Sequence, residues 1–147
     1  STHRGRFNKT EGKITLDTAA KTGSVEITID ANSVDTGGEK LDKHLKAEDF
    51  FNVAKFPTLT FKGSKFTFDG DKPVAVEGDF TLLGVTKPLK LTISNFKCGP
   101  HPFSKKPVCG AEVTGTIKRS EFGMKYGVPA VGDDIKLLIQ VEAGKAA

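Results

Sequence analysis

Apolar and polar residues alternate with period two along most of this chain. Ile14 and Leu16 alternate with Lys13 and Thr15, and Val25, Ile27 and Ile29 with Glu26, Thr28 and Asp30. The alternation returns at Leu59 and Phe61, at Phe66 and Phe68, at Val74 and Val76, and at Phe80 and Leu82. It continues through Leu89, Leu91 and Ile93, then Val113 and Ile117, and finally Ile135, Leu137, Ile139 and Val141. A period of two marks strands with one buried face. Turn sequences separate the runs: TAAKTG, DGDKP and a tight hairpin at Gly84-Val85. Seven strands are predicted, the first from about His3 to Asp17, where Gly5 and Gly12 mark bends or a bulge.

Antiparallel strands with one apolar face turn it to a common interior, as a two-sheet sandwich or a barrel. Long strands in simple succession favour the up-and-down barrel, and a small barrel has about eight strands. The expected fold is therefore all-β, an eight-stranded antiparallel up-and-down barrel forming one domain over residues 1–147. Only seven strands are legible and the chain opens abruptly, so the first strand is expected to be missing from this chain. The unpaired edges beside that gap would template pairing with another chain, so a homodimer through the seam, or a further segment filling it, is expected.

One segment breaks the alternation. From Ser33 to Phe61 the chain reads SVDTGGEKLDKHLKAEDFFNVAKFPTLTF, which predicts a short helix capped by Asp35 or Thr36, with Leu41 and Leu45 one turn apart. A second turn carries Phe50, Phe51 and Val53, and Pro57 opens the next strand. This connection is the right size to lie across one mouth of the barrel. The strand phases then place Ile27, Ile29, Phe61, Phe80, Leu82, Leu91, Ile93, Val113, Ile117, Leu137 and Ile139 inward, with Leu45 and Phe51 over the mouth. The phase of Phe80 and Leu82 is the weakest, because Leu83 is apolar too and a one-residue slip inverts a strand.

Composition sharpens this picture. The 147 residues include eleven Phe against one Tyr and no Trp, which suits a dry interior. The net charge of +4 comes from interleaved cations and anions without a run, so a nucleic-acid module is not expected. No apolar stretch approaches the roughly 20 residues of a membrane span, so stable membrane insertion is not expected either.

Candidate chemistry is sparse. His44 stands among Lys40, Asp42 and Lys43, but no nucleophile or paired carboxylate accompanies it at a recognisable spacing. His3, His44 and His101 are isolated, and Arg119 is read as pairing with a carboxylate such as Asp79, or as meeting an anionic head group. Neither a catalytic set nor a cofactor is expected. Cys98 and Cys109 flank the proline-rich GPHPFSKKPV and can staple the base of a loop; a three-ligand metal site with His101 is the rival reading. A lasting disulfide implies an oxidising compartment.

Motifs covering nearly the whole chain resemble the YceI-like family of polyisoprenoid-binding, lipocalin-like proteins. They are Gly5-x-Phe7, SVDTG at 33–37, LDKHLKAEDFFNVAKFPTLTFKG at 41–63, GDFTLLGVTKPLKL at 78–91, RSEFGM at 119–124 and VGDDIKLLIQVEA at 131–143. The resemblance implies a barrel of eight strands with a helix between two of them, exported to the periplasm. It also implies an interior for a long apolar chain, such as a polyprenyl lipid or a quinone tail, held by a soluble carrier. The cysteines stand outside the family pattern. Two other readings stay open, an enzyme acting on a lipid inside the same barrel, and a filled barrel working through its surface.

Overall fold

The computed structural model describes residues 5–144, excluding the side chain of residue 143. His3, where the first strand was expected to begin, lies outside the described residues. Seven strands form one antiparallel sheet: β2 (Thr10–Asp17), β3 (Thr22–Asp30), β5 (Thr58–Asp69), β6 (Lys72–Leu82), β7 (Val85–Pro100), β8 (Pro107–Lys118) and β9 (Asp134–Gly144). Each pairs with the next in the order of the chain, so the sheet is an up-and-down meander. A short ribbon pairs β1 (Arg6–Phe7) with β4 (Val34–Asp35), and the helix α1 spans Glu39–Lys46. The sheet curls as a barrel wall does, with β2 and β9 as its outer strands.

The curl follows from the alternation. Polar residues line the convex face, and Ile27, Phe61, Phe80, Leu82 and Leu91 are all at most 2% exposed on the concave one. Two glycines let it bend. Gly63 and Gly78 face each other across β5 and β6, beside a bulge between Gly63 and Lys65. A Cβ on Gly78 would sit 2.6 Å from the Gly63 Cα and against the Lys62 carbonyl, so the backbones approach more closely than any side chain permits.

Local structure departs from the sequence reading at four places. The first strand is broken: Arg6 and Phe7 peel away to β4, and the Asn8 amide donates to the Asp35 carboxylate at 3.0 Å. The tight turn is Leu83-Gly84, both with positive φ, and Val85 already pairs with Leu82. The helix cap is neither Asp35 nor Thr36 but Gly38. Asp42 in the first turn of the helix instead reaches back, accepting from the Thr36 N–H at 2.7 Å and its hydroxyl at 2.6 Å. The fourth departure is Arg119.

Arg119 is 3% exposed and makes no ion pair among the described residues. Asp79, its expected partner, is exposed on β6 opposite Lys62 and Pro88. The guanidinium instead donates to three backbone carbonyls, those of Gly132 at 2.9 Å, Met124 at 3.0 Å and Val131 at 3.2 Å. It thus binds the loop between β8 and β9 onto the helix end of the sheet, where Phe122 stands edge-on to Phe80 at 5.7 Å. A planar fork of donors can satisfy several carbonyls at once. Next to it the Asp133 carboxylate accepts from the Ser120 hydroxyl at 2.7 Å and its N–H at 2.8 Å. Those two hydrogen bonds, with Lys118 and Arg119 nearby, hold the Asp133 carboxyl below its ordinary value.

Two outcomes follow for stability. Gly78→Ala should cost about 2 kcal/mol in urea unfolding, whereas Gly99→Ala, with no atom within 4 Å of the new Cβ, should stay within about 0.5 kcal/mol. Because folding lowers the Asp133 pKa, its contribution is complete above the ordinary value of 3.8 and is lost as pH falls through the lower folded value. Asp133→Asn should therefore lower the melting temperature near neutral pH and flatten its fall in acid. Parallel acid slopes for the two proteins would contradict this.

Candidate binding site

The concave face is not completely filled. An apolar cavity of about 50 Å³ lies between the two outer strands, with Ile14 and Leu16 of β2 on one side and Val141 of β9 on the other. Val25 and Ile27, Phe61 and Phe66, Pro73 and Val76, and Leu91, Ile93 and Phe96 complete its wall along the middle strands. Cys109, Gly110, Ala111 and Val113 of β8 close it. Every strand of the large sheet contributes, and no lining side chain carries a titratable group, since Cys109 is bonded to Cys98. Leu16, Pro73 and Cys109 stand beside the turns at 18–21, 70–71 and 101–106, so the cavity occupies the end of the sheet remote from α1.

Ile27, Phe61, Leu91, Ile93 and Val113 line this cavity. Ile29, Phe80, Leu82 and Ile117 are buried in the packed core beyond it, and Leu137 and Ile139 are half-buried on β9 against that core. Leu45 and Phe51 are a correction. Both are half-buried under the helix connection, Phe51 lies edge-on to Phe7 at 5.4 Å, and neither reaches the cavity. The helix end is closed by packing, because Phe80, Phe122 and Met124 fill it, each at most 3% exposed.

Ile14, Leu16, Val25, Val76 and Val141 sit in the alternation, although they are not among the positions named inward above. Phe66, alternating with Phe68, and Phe96 could not be placed by that pattern. On β5, Phe61 points inward, the bulge between Gly63 and Lys65 shifts the phase, and Phe66 points inward too. On β7 the register breaks between Ser94 and Lys97, where Asn95 has φ +54°, and Phe96 turns in by the same device. A bulge adds one residue to one strand and exchanges its faces from there on. Pairs of apolar residues separated by an odd number of positions were the only signal.

His44 belongs to an aromatic cluster at the opposite end of the sheet. Its ring stands edge-on to Phe50 at 4.9 Å and to Tyr126 at 5.5 Å, and its Nε2 is 3.9 Å from Asp49. The Arg119 guanidinium lies 5.9 Å from the Phe50 ring centre. The cluster ties α1 to the loop that Arg119 holds. Cys98 and Cys109 pair directly across β7 and β8 in a disulfide, with an S–S length of 2.03 Å. Bonded sulfurs are not thiolate ligands, which removes the metal reading with His101. Among the described residues no other group of His, Cys, Asp and Glu is placed to hold a metal, and no helix is long and apolar enough to cross a membrane.

Comparison with known proteins matches this geometry. The YceI-like domain family matches residues 1–143. A UPF0312 protein of Pseudomonas aeruginosa is 37% identical over 139 residues, covering 94% of this chain and 72% of that protein. The crystal structure of the YCEI protein of Campylobacter jejuni superposes with a TM-score of 0.83 at 31% identity, covering 100% of this chain and 87% of the other. A polyisoprenoid binding domain from Saccharophagus degradans, implicated in plant cell wall breakdown, shares the fold alone. Its TM-score is 0.67 at 15% identity, over 95% of this chain and 84% of that one. With matching motifs, a curled meander and a helix between its second and third long strands, this chain belongs to the YceI-like domain family.

Proposed function

We propose that this protein binds a long apolar molecule of the isoprenoid class between its outer strands and carries it through an aqueous compartment without transforming it. The observation that carries this reading is the character and place of the cavity. It is lined by apolar groups throughout and bounded by two strands with no ladder between them among the described residues. Its volume of about 50 Å³ is far below the roughly 300 Å³ of a small-molecule pocket. Uptake of a prenyl chain therefore requires β2 and β9 to move apart, and no ladder joins those two strands among the described residues.

Each methylene removed from water contributes about 0.8 kcal/mol, so a few isoprene units offset the cost of widening that seam. The polyisoprenoid-binding domain of Saccharophagus degradans has the same fold, which supports the same ligand class here. Turnover would need an acid or base within reach of the ligand, and the lining offers none. The Cys98–Cys109 bond favours an oxidising compartment, and in this family reading that is the periplasm. A filled barrel acting through its surface is the second reading, favoured by the small volume.

The two readings part on a cavity-filling substitution. Ala111→Phe places a ring among the lining residues, whereas Thr116→Phe places one on the exposed face of the same strand. Isothermal titration of delipidated protein with a prenyl quinone should give one site for the parent chain and for Thr116→Phe. Ala111→Phe should weaken binding about ten-fold or more, since the two or so kcal/mol at stake exceed the 1.4 kcal/mol of one decade. Heat-free titrations of the parent chain, with no lipid in native mass spectra from its own host, would leave the filled-barrel reading standing.

A further inference from the structure

The hairpin between β7 and β8 carries a feature that the binding reading does not use. Phe103, at its tip, is 89% exposed, more than any other large apolar side chain among the described residues. Lys105 and Lys106 are exposed in the same turn and Lys97 on the stem of the hairpin, and no Asp or Glu occurs from Lys97 to Val108. Glu142 on β9 lies 4.0 Å from the His101 Nε2. The tip is rigid. The disulfide closes its base, and the His101 N–H donates to the Lys106 carbonyl at 2.8 Å. The His101 Nδ1 accepts from the N–H groups of Phe103 at 3.1 Å and Ser104 at 3.2 Å. Phe103 is thus held outward by a hydrogen-bonded turn, on a hairpin whose base residue Cys109 lines the cavity.

We propose that this hairpin docks the protein on an anionic membrane surface, with the Phe103 ring in the headgroup boundary and the lysines on the lipid charges, bringing the cavity end of the barrel to the bilayer. This deepens the binding reading by naming where the apolar ligand is collected, and it rests on that reading. One rigid aromatic among cations suits a fluid, charged interface, which asks for apolar area and positive charge but no matching shape. A protein partner would instead need a broad complementary surface, and apart from Phe103 the residues 99–106 are polar, proline or glycine. A rigid tip also loses little conformational freedom on docking.

Flotation with phosphatidylcholine vesicles, with and without phosphatidylglycerol, tests the docking. The parent chain should float with the anionic vesicles only, and release when salt shortens the screening length to about 3 Å. Removing the charges in Lys105→Gln/Lys106→Gln should weaken partition about five-fold per lysine. Phe103→Ser should weaken it about ten-fold or more. Neither variant should change the melting temperature, because both sites are exposed. Transfer of a prenyl quinone out of the vesicles should slow in Phe103→Ser, while its titration with a water-soluble short prenyl alcohol stays as in the parent chain. Failure of the parent chain to float, or flotation of both variants equal to that of the parent chain, would overturn the docking and leave the cavity reading untouched. Flotation as expected with no prenyl binding would overturn the cavity reading and keep the docking.

Discussion

A meander of strands with one apolar face cannot lie flat in water, and that constraint organises this protein. Without a second sheet to cover it, the face can be buried only by curling the sheet on itself. The curl needs places where neighbouring backbones can close up. Gly63 and Gly78 supply one, opposite each other, with a bulge next to them that sharpens the bend. Large side chains at Phe61, Phe80 and Leu91 then meet across the concave side and hold the curvature. The same bend sets the phase of everything beyond it on β5.

The two ends of the curled sheet are finished differently, and the difference is chemical. At the helix end, polar backbone from the β8–β9 loop is brought inside, and Arg119 satisfies it with three hydrogen bonds to carbonyls. A buried guanidinium without a carboxylate partner would be costly if its donors were idle, so this end is committed to a single arrangement. Aromatic edges from His44, Phe50 and Tyr126 brace the helix against that loop. At the far end the lining is apolar, the contacts are nondirectional, and a void persists. Among the described residues no ladder joins β2 to β9 there, and each is held by its ladder to β3 or β8 and by apolar packing.

The hairpin that leaves this looser end is stiffened twice, by the cross-strand disulfide and by the turn that His101 organises. Closing a loop of this length limits the unfolded chain, which offsets some of the weaker packing around the cavity.

Read alone, the chain determined the seven strands of the large sheet and their succession, the helical connection and the pairing of Cys98 with Cys109. Each depends on contacts close in sequence or on an alternation that survives averaging along a strand. It determined most of the inward set as well, because Ile27, Phe61, Leu91, Ile93 and Val113 lie in unbroken stretches of period two. Tertiary structure alone decided where the void lies. A bulge is a property of a strand pair, so the turning-in of Phe66 and Phe96 was settled by register against β6 and β8. Arg119 found carbonyls rather than Asp79 because a loop folded back over it, which no local pattern announces. Leu45 and Phe51 sit away from the cavity for the same reason: long-range packing of Phe80, Phe122 and Met124 closed the end that they overlie.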